Sequence, residues 1–336
     1  MGWDRVDVDV DGAGSLVWFG GVLYDVARGW RRADEREDRP VGWGPFGDFD
    51  TATVAPTGDL VALVDSDGTK SLLLEPGGGV VREVNRSWDC AEAFRYPLAL
   101  FTLPDGRTGL VHCPDHVNRI EIEVAATGER LTRQQHRNSP DVFHSRLQVN
   151  TAGTRLLSAG WVWHPMAVAA VFDLDAALED ASLLDREVLS RDPGDRFGSS
   201  LNAEVAGACF VGDHVVVATT AESLGREGGL GPLALACWSA AEDRYLWRRP
   251  APADLGDLIS FHGHVLALNA YPRLFDGRTG DLVHEWPDVP IAATAGPLFV
   301  GENSRAGAAM IAVDPDTPRF AIAQPDRITV ITHTTE

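Results

Sequence analysis

Short runs of alternating apolar and polar residues, each pair separated by a tight turn, recur along the chain. Clear examples are TATVAPTGDLVALVD around Gly58 and RLQVNTAGTRLLSAG around Gly153. Such alternation is typical of strands with one buried face. Thr-Gly, Asp-Gly or Gly-Asp between two such runs favours a hairpin turn, because glycine adopts positive φ without a Cβ clash. The pattern therefore predicts a chain built from β-hairpins.

The turns form an internal repeat with spacings of 46 to 59 residues. They are centred on Gly12, Gly58, Gly106, Gly153, Gly212, Gly263 and Thr317. Each hairpin is followed by a further strand, turn and strand, most clearly in RLFDGRTGDLVHEW from Arg273 to Trp286. Two hairpins per period make four antiparallel strands, the content of one propeller blade. The sequence predicts a single all-β domain over residues 1–336, a β-propeller of seven four-stranded blades, with six or eight as alternatives.

The period and turn chemistry of these repeats resemble the WD40-like and quinoprotein-like β-propeller superfamily. The resemblance covers nearly the whole chain, and this sequence lacks most of the Gly-His and Trp-Asp dipeptides of true WD40 repeats. It implies a propeller fold. The fold alone implies no activity, because propellers serve as enzymes and as scaffolds.

The last repeat ends one strand short of a full blade. An N-terminal strand, or the PLFV run at Pro297–Val300, would complete it and protect an open sheet edge. The stretch from Asp173 to Glu187, DLDAALEDASLLDRE, predicts a helical insertion.

Charge disfavours several function classes. The chain has 49 acidic and 29 basic residues, for a net charge of −20, which argues against nucleic-acid backbones and anionic membrane surfaces as partners. No apolar run approaches the length of a membrane-spanning helix, and the first residues lack the pattern of a secretory signal.

Cysteine and lysine usage indicates the cellular setting. The four cysteines lie far apart and form no C-x-x-C pair, which predicts buried, reduced thiols and a cytoplasmic location; they are Cys90, Cys113, Cys209 and Cys237. Lys70 is the only lysine, a bias that indicates a GC-rich bacterial genome.

Blade topology divides the loops between two faces. The first-to-second and third-to-fourth strand turns share one face, the short-turn face. The second-to-third turns and the links between blades share the other, the link face, and here they are long, as in NRSWDCAEAFRY and SRDPGDRFGSSLN. Long loops on a rigid scaffold are where function usually lies. We expect the functional surface on the link face.

Chemically active side chains are densest between Asp141 and Pro165. In chain order these are His144, Arg146, Trp161, Trp163 and His164. Arginine supplies a bidentate anion contact, histidine a proton that switches near neutral pH, and tryptophan a stacking surface. The same residues also suit a structural role, with the tryptophans packed between blades.

Other innermost strands are preceded or opened by polar residues, namely Asp50, Arg95, Asn202 and Asp257. They predict a mixed-charge rim at the mouth of the central channel, which would solvate the channel or hold a small polar ligand.

The sequence predicts no metal site and no cofactor. Two histidine pairs have usable spacings, His112 with His116 and His262 with His264, but neither has a third ligand in its segment. The glycine runs link strands and do not lead into a helix, so they predict no phosphate cradle. No G-x-S-x-G motif is present.

Two function hypotheses follow. The first is an intracellular scaffold that binds a partner protein or peptide on the link face, its acidic surface favouring a basic partner. Its candidate contacts are Trp43, Phe46, Trp88, Trp161, Trp163, Arg196, Phe197 and Asn202. The alternative is a small-molecule enzyme with acid–base and anion-binding groups at the channel mouth. Its candidate residues are His144, Arg146, His164, Arg95 and Asp50.

Overall fold

The computed structural model describes residues 2–33, 46–134, 137–162, 166–186, 196–291 and 310–334. These residues form 28 strands in eight sheets, together with two short α-helices. The predicted all-β class is confirmed. Seven of the sheets follow one another along the chain and are numbered in that order below.

The first strand, β1 (Gly2–Asp9), belongs to the last sheet. Sheet 1 contains β2 (Leu16–Phe19), β3 (Val22–Asp25) and β4 (Arg31–Arg32). Sheet 2 contains β5 (Thr51–Val54), β6 (Val61–Val64), β7 (Lys70–Leu74) and β8 (Val80–Asn85). Sheet 3 contains β9 (Leu98–Thr102), β10 (Thr108–His112) and β11 (Glu121–Val124), after a 3-10 turn at Ala91–Ala93.

The middle of the chain adds a small accessory sheet of β12 (Val142–Phe143), β15 (Trp161–Val162) and β16 (Met166–Ala167). Sheet 4 contains β13 (Gln148–Val149), β14 (Arg155–Ser158) and β17 (Ala170–Asp173). After it come helix α1 (Leu174–Glu179), a 3-10 turn at Ala181–Leu184 and helix α2 (Arg196–Ser199).

Sheet 5 contains β18 (Ala203–Val211), β19 (His214–Ser223), β20 (Ala234–Ser239) and β21 (Arg244–Pro250). Sheet 6 contains β22 (Asp257–Phe261), β23 (His264–Asn269), β24 (Tyr271–Asp276) and β25 (Leu282–Glu285). Sheet 7 contains β26 (Ile311–Val313), β27 (Arg319–Ala323), β28 (Arg327–Thr334) and β1.

Six of the seven predicted turns join the first two strands of a sheet, and Gly12 is the exception. Gly12 lies between β1 and β2, which pair with different strands, β28 and β3. The corresponding turn of sheet 1 is Gly20-Gly21, where both residues have positive φ, 57° and 76°, as a tight hairpin turn requires. The prediction at Gly12 is wrong, because a turn sequence between apolar runs does not specify which strand each run pairs with.

Apolar side chains fill the interface between every two consecutive sheets. Seven buried clusters each draw on two neighbouring sheets. One of them joins sheet 7 to sheet 1 through Trp18 and Ile328, and Trp18 also donates from Nε1 to the Ala312 carbonyl at 3.2 Å. A ring of radial sheets is the architecture of a β-propeller. The predicted propeller fold is confirmed. Within the described residues seven sheets follow one another around the ring, and sheets 1, 3 and 4 have three strands where four were predicted.

The N-terminal strand supplies the outer strand of the last sheet. β1 pairs with β28 without interruption from Gly2 opposite Thr334 to Asp9 opposite Arg327. The N-terminal alternative for closure is therefore the correct one within the described residues. The other candidate, Pro297–Val300, lies outside them.

The predicted helical insertion is present but shorter than expected. Asp173 caps α1 by accepting a hydrogen bond from the Ala176 amide at 3.0 Å. A fully buried arginine, Arg137, then donates to both carboxylate oxygens of Asp185 at 2.8 and 2.7 Å and fixes the end of the insertion. No helix among the described residues is long and apolar enough to cross a membrane.

Deletion of residues 1–9 should expose one whole edge of β28, because each of its eight residues pairs with β1 along that edge. We expect faster amide exchange over residues 327–334 and a lower melting temperature, measured by hydrogen–deuterium exchange and calorimetry. The control is Val6→Thr, a position on β1 whose side chain is 59% exposed. Unchanged exchange in β28 after the deletion would show that closure does not depend on this strand.

Candidate functional site

The starts of the innermost strands meet on the link face. β2 contacts both β5 and β26, and β13 contacts both β9 and β18, so these first strands surround the central channel. The links between sheets lead directly into them. Residues just before or at these starts therefore lie around one mouth of the channel.

Three of the predicted mouth residues form an ion cluster across the channel. Asp257, at the start of β22, accepts from Arg146 Nη1 at 2.7 Å through Oδ1. Its other oxygen, Oδ2, lies 2.7 Å from Arg95 Nη1. Arg95 precedes sheet 3, Arg146 precedes sheet 4, and Asp257 belongs to sheet 6. One carboxylate thus connects three sheets.

Backbone carbonyls complete the binding of Arg146. Its Nε donates to the Ala159 carbonyl at 3.1 Å, and Nη1 also donates to the Ala206 carbonyl at 2.9 Å. β18 is irregular at this point, since Val205 pairs with Thr219 but Gly207 pairs with Ala218, which leaves Ala206 as an extra residue. A β-bulge of this kind turns a peptide group out of the ladder, and here it supplies an acceptor for the guanidinium.

A close approach of two strands places Asp257. A Cβ on Gly207 would lie 2.4 Å from the Gly256 carbonyl oxygen and 3.0 Å from the Asp257 Cα. Only glycine allows β18 and β22 to come this near. Asp257 therefore reaches the channel mouth because β18 has no side chain at position 207.

The cluster is positively charged and largely buried. The side chain of Arg146 is 10% exposed, that of Asp257 15% and that of Arg95 32%. Burial lowers the pKa of Arg146. Burial would raise the pKa of Asp257, but the charges of Arg95 and Arg146 outweigh it and lower that pKa. Two cations face one anion, and Nη2 of Arg146 has no hydrogen-bond partner among the described residues.

His144 does not join this cluster. Its Nδ1 lies 2.9 Å from Ser158 Oγ, its ring packs 6.0 Å from Phe172, and its side chain is fully buried. Burial lowers the pKa of His144 to about 4. A neutral imidazole closed off from solvent does not suit acid–base catalysis, so the structure gives His144 the structural role.

Other predicted mouth residues make contacts within their own loops. Asp50 accepts from the Ser66 amide at 3.0 Å and from its hydroxyl at 2.7 Å. Asn202 accepts from the Arg226 amide at 2.7 Å. His164, Trp43 and Trp163 lie outside the described residues.

Three predicted partner contacts are drawn toward the interior. Trp161 stacks on Phe143 in the accessory sheet with ring centroids 4.1 Å apart, and Phe197 packs against Trp238 at 5.8 Å. Both are buried, so the prediction that they are surface anchors is wrong. Phe46 is half-buried in the apolar cluster between sheets 1 and 2. These three aromatic side chains pack against apolar residues of the same chain, so they offer little surface to a partner.

Trp88 is the exposed aromatic side chain of the link face within the described residues. It is 81% exposed and lies in the link between β8 and β9. Arg196 is also exposed, but it pairs with Asp243 at the edge between sheets 4 and 5. Of the predicted contacts that the structure describes, Trp88 offers the largest apolar surface to a partner.

A buried arginine that sequence reasoning missed holds the Trp88 link. Arg86 donates to the carbonyls of Gly68 at 2.7 Å, Ala91 at 2.7 Å and Phe94 at 3.1 Å. Its guanidinium also lies 4.9 Å from the Tyr96 ring centroid. Burial lowers the pKa of Arg86 to about 10. The backbone of the link thus wraps around a cation and presents Trp88 from a fixed loop.

The histidine pairs considered as metal ligands have other neighbours. His112 Nε2 lies 3.3 Å from Glu123 Oε1, and His262 Nε2 lies 2.8 Å from the Asp314 carbonyl. The described residues contain no group of three or more histidine, cysteine, aspartate or glutamate side chains placed to hold a metal ion.

Comparison with known proteins supports the fold and leaves the function open. No protein-family model matches the sequence, and no curated protein sequence matches it. Among solved structures, BamB from Moraxella catarrhalis aligns with a TM-score of 0.51 at 11% identity, covering 100% of this chain and 99% of that one. A chain of the mitotic checkpoint complex aligns with a TM-score of 0.56 at 10% identity, covering 99% of this chain and 91% of that one. The protein therefore has the β-propeller fold.

Asp257→Asn should destabilise the fold, because it leaves the buried Arg146 and the half-buried Arg95 without their counter-charge. The expected loss in free energy of unfolding at neutral pH is about 3–5 kcal/mol. The lowered pKa of Asp257 means that its contribution is complete above the unfolded carboxyl value of about 3.9 and is lost as pH falls through the folded value. The difference between wild type and variant should therefore shrink in acid, measured by urea unfolding across pH.

The matched control is Asp105→Asn, which removes a carboxylate from an exposed pair with Arg107 and should change stability little. Equal effects of the two substitutions would contradict a stabilising role for the cluster.

Proposed function

We propose that the protein is an intracellular β-propeller scaffold that binds a partner protein or peptide on its link face. The observation that carries this proposal is Trp88, a large apolar side chain that is 81% exposed on a link held by Arg86. Burial of tryptophan contributes strongly to protein interfaces, and a preformed loop avoids the entropy cost of ordering on binding.

The charge of the chain defines the chemistry of the proposed partner. With a net charge of −20, long-range attraction favours a basic surface and association that weakens as salt rises. The structural neighbours support the proposal only through their fold. One of them is a chain of a multiprotein complex.

A cytoplasmic location belongs to the same proposal. Cys113, Cys209 and Cys237 are buried free thiols, and burial raises the thiol pKa of each. Such side chains act as small apolar core residues, and they suit a reducing compartment.

Trp88→Ala should weaken partner binding about 30-fold, the loss of a typical interface hot spot. The partner is first captured from host lysate with wild-type protein and identified by mass spectrometry. The dissociation constant of the purified pair is then measured for wild type and variant. The control, Val80→Ala, removes an apolar side chain that is 55% exposed on β8 and should bind as wild type. Equal affinity of wild type and Trp88→Ala would overturn the assignment of this link as the docking site.

A second candidate function, binding of a small anionic ligand at the channel mouth, is favoured by one observation. Arg95 and Arg146 together carry one more charge than Asp257 balances, and the buried Nη2 group of Arg146 has no hydrogen-bond partner in the part of the chain that the structure describes. A carboxylate or phosphate beside Arg95 would balance the charge. Among the described residues the acid–base half of the enzyme hypothesis has no such support, because His144 is buried and neutral and His164 lies outside them.

Sodium phosphate should raise the melting temperature of wild type above that in sodium chloride at equal ionic strength, since ligand binding to the folded state stabilises it. Arg95→Gln should abolish this increment. Arg107→Gln, a substitution of an exposed arginine on the short-turn face, should retain it. Equal melting temperatures of wild type in the two salts would remove this candidate.

A further inference from the structure

The outer edge of sheet 7 is open on the side of β1 that faces away from β28, since no described strand pairs with it there. The Val10 amide donates to the Asp326 carbonyl at 3.0 Å, continuing the register that sets Asp9 opposite Arg327. Hydrogen-bonded pairs alternate along an antiparallel ladder, so the even-numbered residues of β1 bond to β28. The backbone N–H and C=O groups that point outward are therefore those of Trp3, Arg5, Asp7 and Asp9.

This edge is regular, whereas the outer strands of sheets 2, 5 and 6 are not. Each of those strands carries one extra residue opposite its neighbour, namely Val81 in β8, Leu246 in β21 and Val283 in β25. A β-bulge of this kind twists an edge strand and blunts it against pairing with another chain. β1 keeps one register with β28 over eight consecutive pairs and contains no proline. Among the four-stranded sheets that the structure describes, only sheet 7 presents an uninterrupted outer edge.

β1 is held in place by contacts on the side of sheet 6. The ring centroid of Trp3 lies 4.7 Å from that of His333 and 5.1 Å from that of Trp286. Further along the strand, Arg5 pairs with Asp7 at 3.0 Å and also with Asp288, which follows β25. An edge that is already ordered accepts a further strand without the entropy cost of ordering its own backbone.

The charge of β1 indicates which strand would fit beside it. The strand contains three aspartates, Asp4, Asp7 and Asp9, and a single arginine that already has carboxylate partners. Opposite charges on neighbouring strands stabilise their pairing, and like charges destabilise it. Pairing with β1 of a second copy would bring aspartates together, so self-association is disfavoured. Val6, whose side chain is 59% exposed, offers apolar contact. The edge therefore favours a segment that combines basic and β-branched residues.

We propose that the outer edge of β1 binds an extended, basic segment of a partner protein as a fifth strand of sheet 7. Outward backbone groups supply the hydrogen bonds, and the aspartates select basic side chains, the division of roles found in β-strand addition. This surface lies on the outer rim of the ring. It is separate from the Trp88 link on the link face, so the inference does not depend on docking there.

An acetylated and amidated octapeptide of alternating arginine and valine is the probe, with affinity measured by isothermal titration calorimetry. Wild type should bind it, and hydrogen–deuterium exchange over residues 2–9 should slow on binding. Arg5→Pro removes one outward N–H group and places a ring on the edge, so it should weaken binding at least about tenfold. Proline is tolerated where an edge N–H faces solvent, and exchange over residues 327–334 should therefore stay as in wild type.

The matched control is Arg5→Thr, which removes the same side chain and keeps the N–H group. It should bind at least as tightly as wild type, because β1 loses its only positive charge. The same octapeptide N-methylated at every residue keeps its charge but has no backbone N–H donors, and it should not bind.

Four outcomes would overturn the proposal. The first is no binding of the octapeptide to wild type, and the second is equal affinity of Arg5→Pro and Arg5→Thr. The third is equal affinity for the N-methylated peptide, which would show charge attraction without strand pairing. The fourth is slower exchange over residues 86–95 and none over residues 2–9, which would assign the basic segment to the Trp88 link.

Discussion

Pairing of the first strand with the last is the constraint on which the rest of the structure depends. A propeller sheet buries its faces against two neighbours, so a ring with one open seam would leave apolar surface in water at both ends of the chain. Here β1 and β28 form one continuous antiparallel ladder, and Trp18 of sheet 1 packs with sheet 7. Closure holds the innermost strands around one axis, and only then do residues from sheets 3, 4 and 6 meet at the channel mouth.

Two buried arginines organise the link face in different ways. Arg146 uses the carboxylate of Asp257 and carbonyls of irregular backbone, whereas Arg86 donates to backbone carbonyls and lies against aromatic rings. In both cases a departure from regular strand geometry supplies acceptors that a ladder would have used internally. Burying a guanidinium without such acceptors would cost folding free energy. The irregular loops and the bulge therefore make it possible to bury these two charges.

The two faces of the ring therefore differ in what they offer to a ligand. The link face presents a fixed aromatic side chain, Trp88, beside a partly exposed cationic mouth. On the short-turn side of the seam between sheets 4 and 5, Arg155 pairs with Asp173 and Arg196 pairs with Asp243, next to the ring of Trp238. The helical insertion after β17 contributes to that seam, because α1 and α2 supply Ala176 and Phe197 to its lining. Irregular segments thus define the sites, and regular sheets hold them in place.

Sequence patterns were enough to predict the all-β class, six of the seven first turns and the helical insertion. Alternation and glycine-containing turns are local signals, and they need no knowledge of distant contacts. The same patterns placed Arg95, Arg146 and Asp257 at or just before the starts of innermost strands, where the structure has them. The sequence did not show that His144 and Arg146, two positions apart, have different partners. His144 lies beside Ser158, whereas Arg146, whose backbone has a positive φ of 46°, reaches Asp257. Nor could the sequence tell exposed Trp88 from buried Trp161 and Phe197. Burial depends on which distant sheet packs against a loop, and only the tertiary structure decides that.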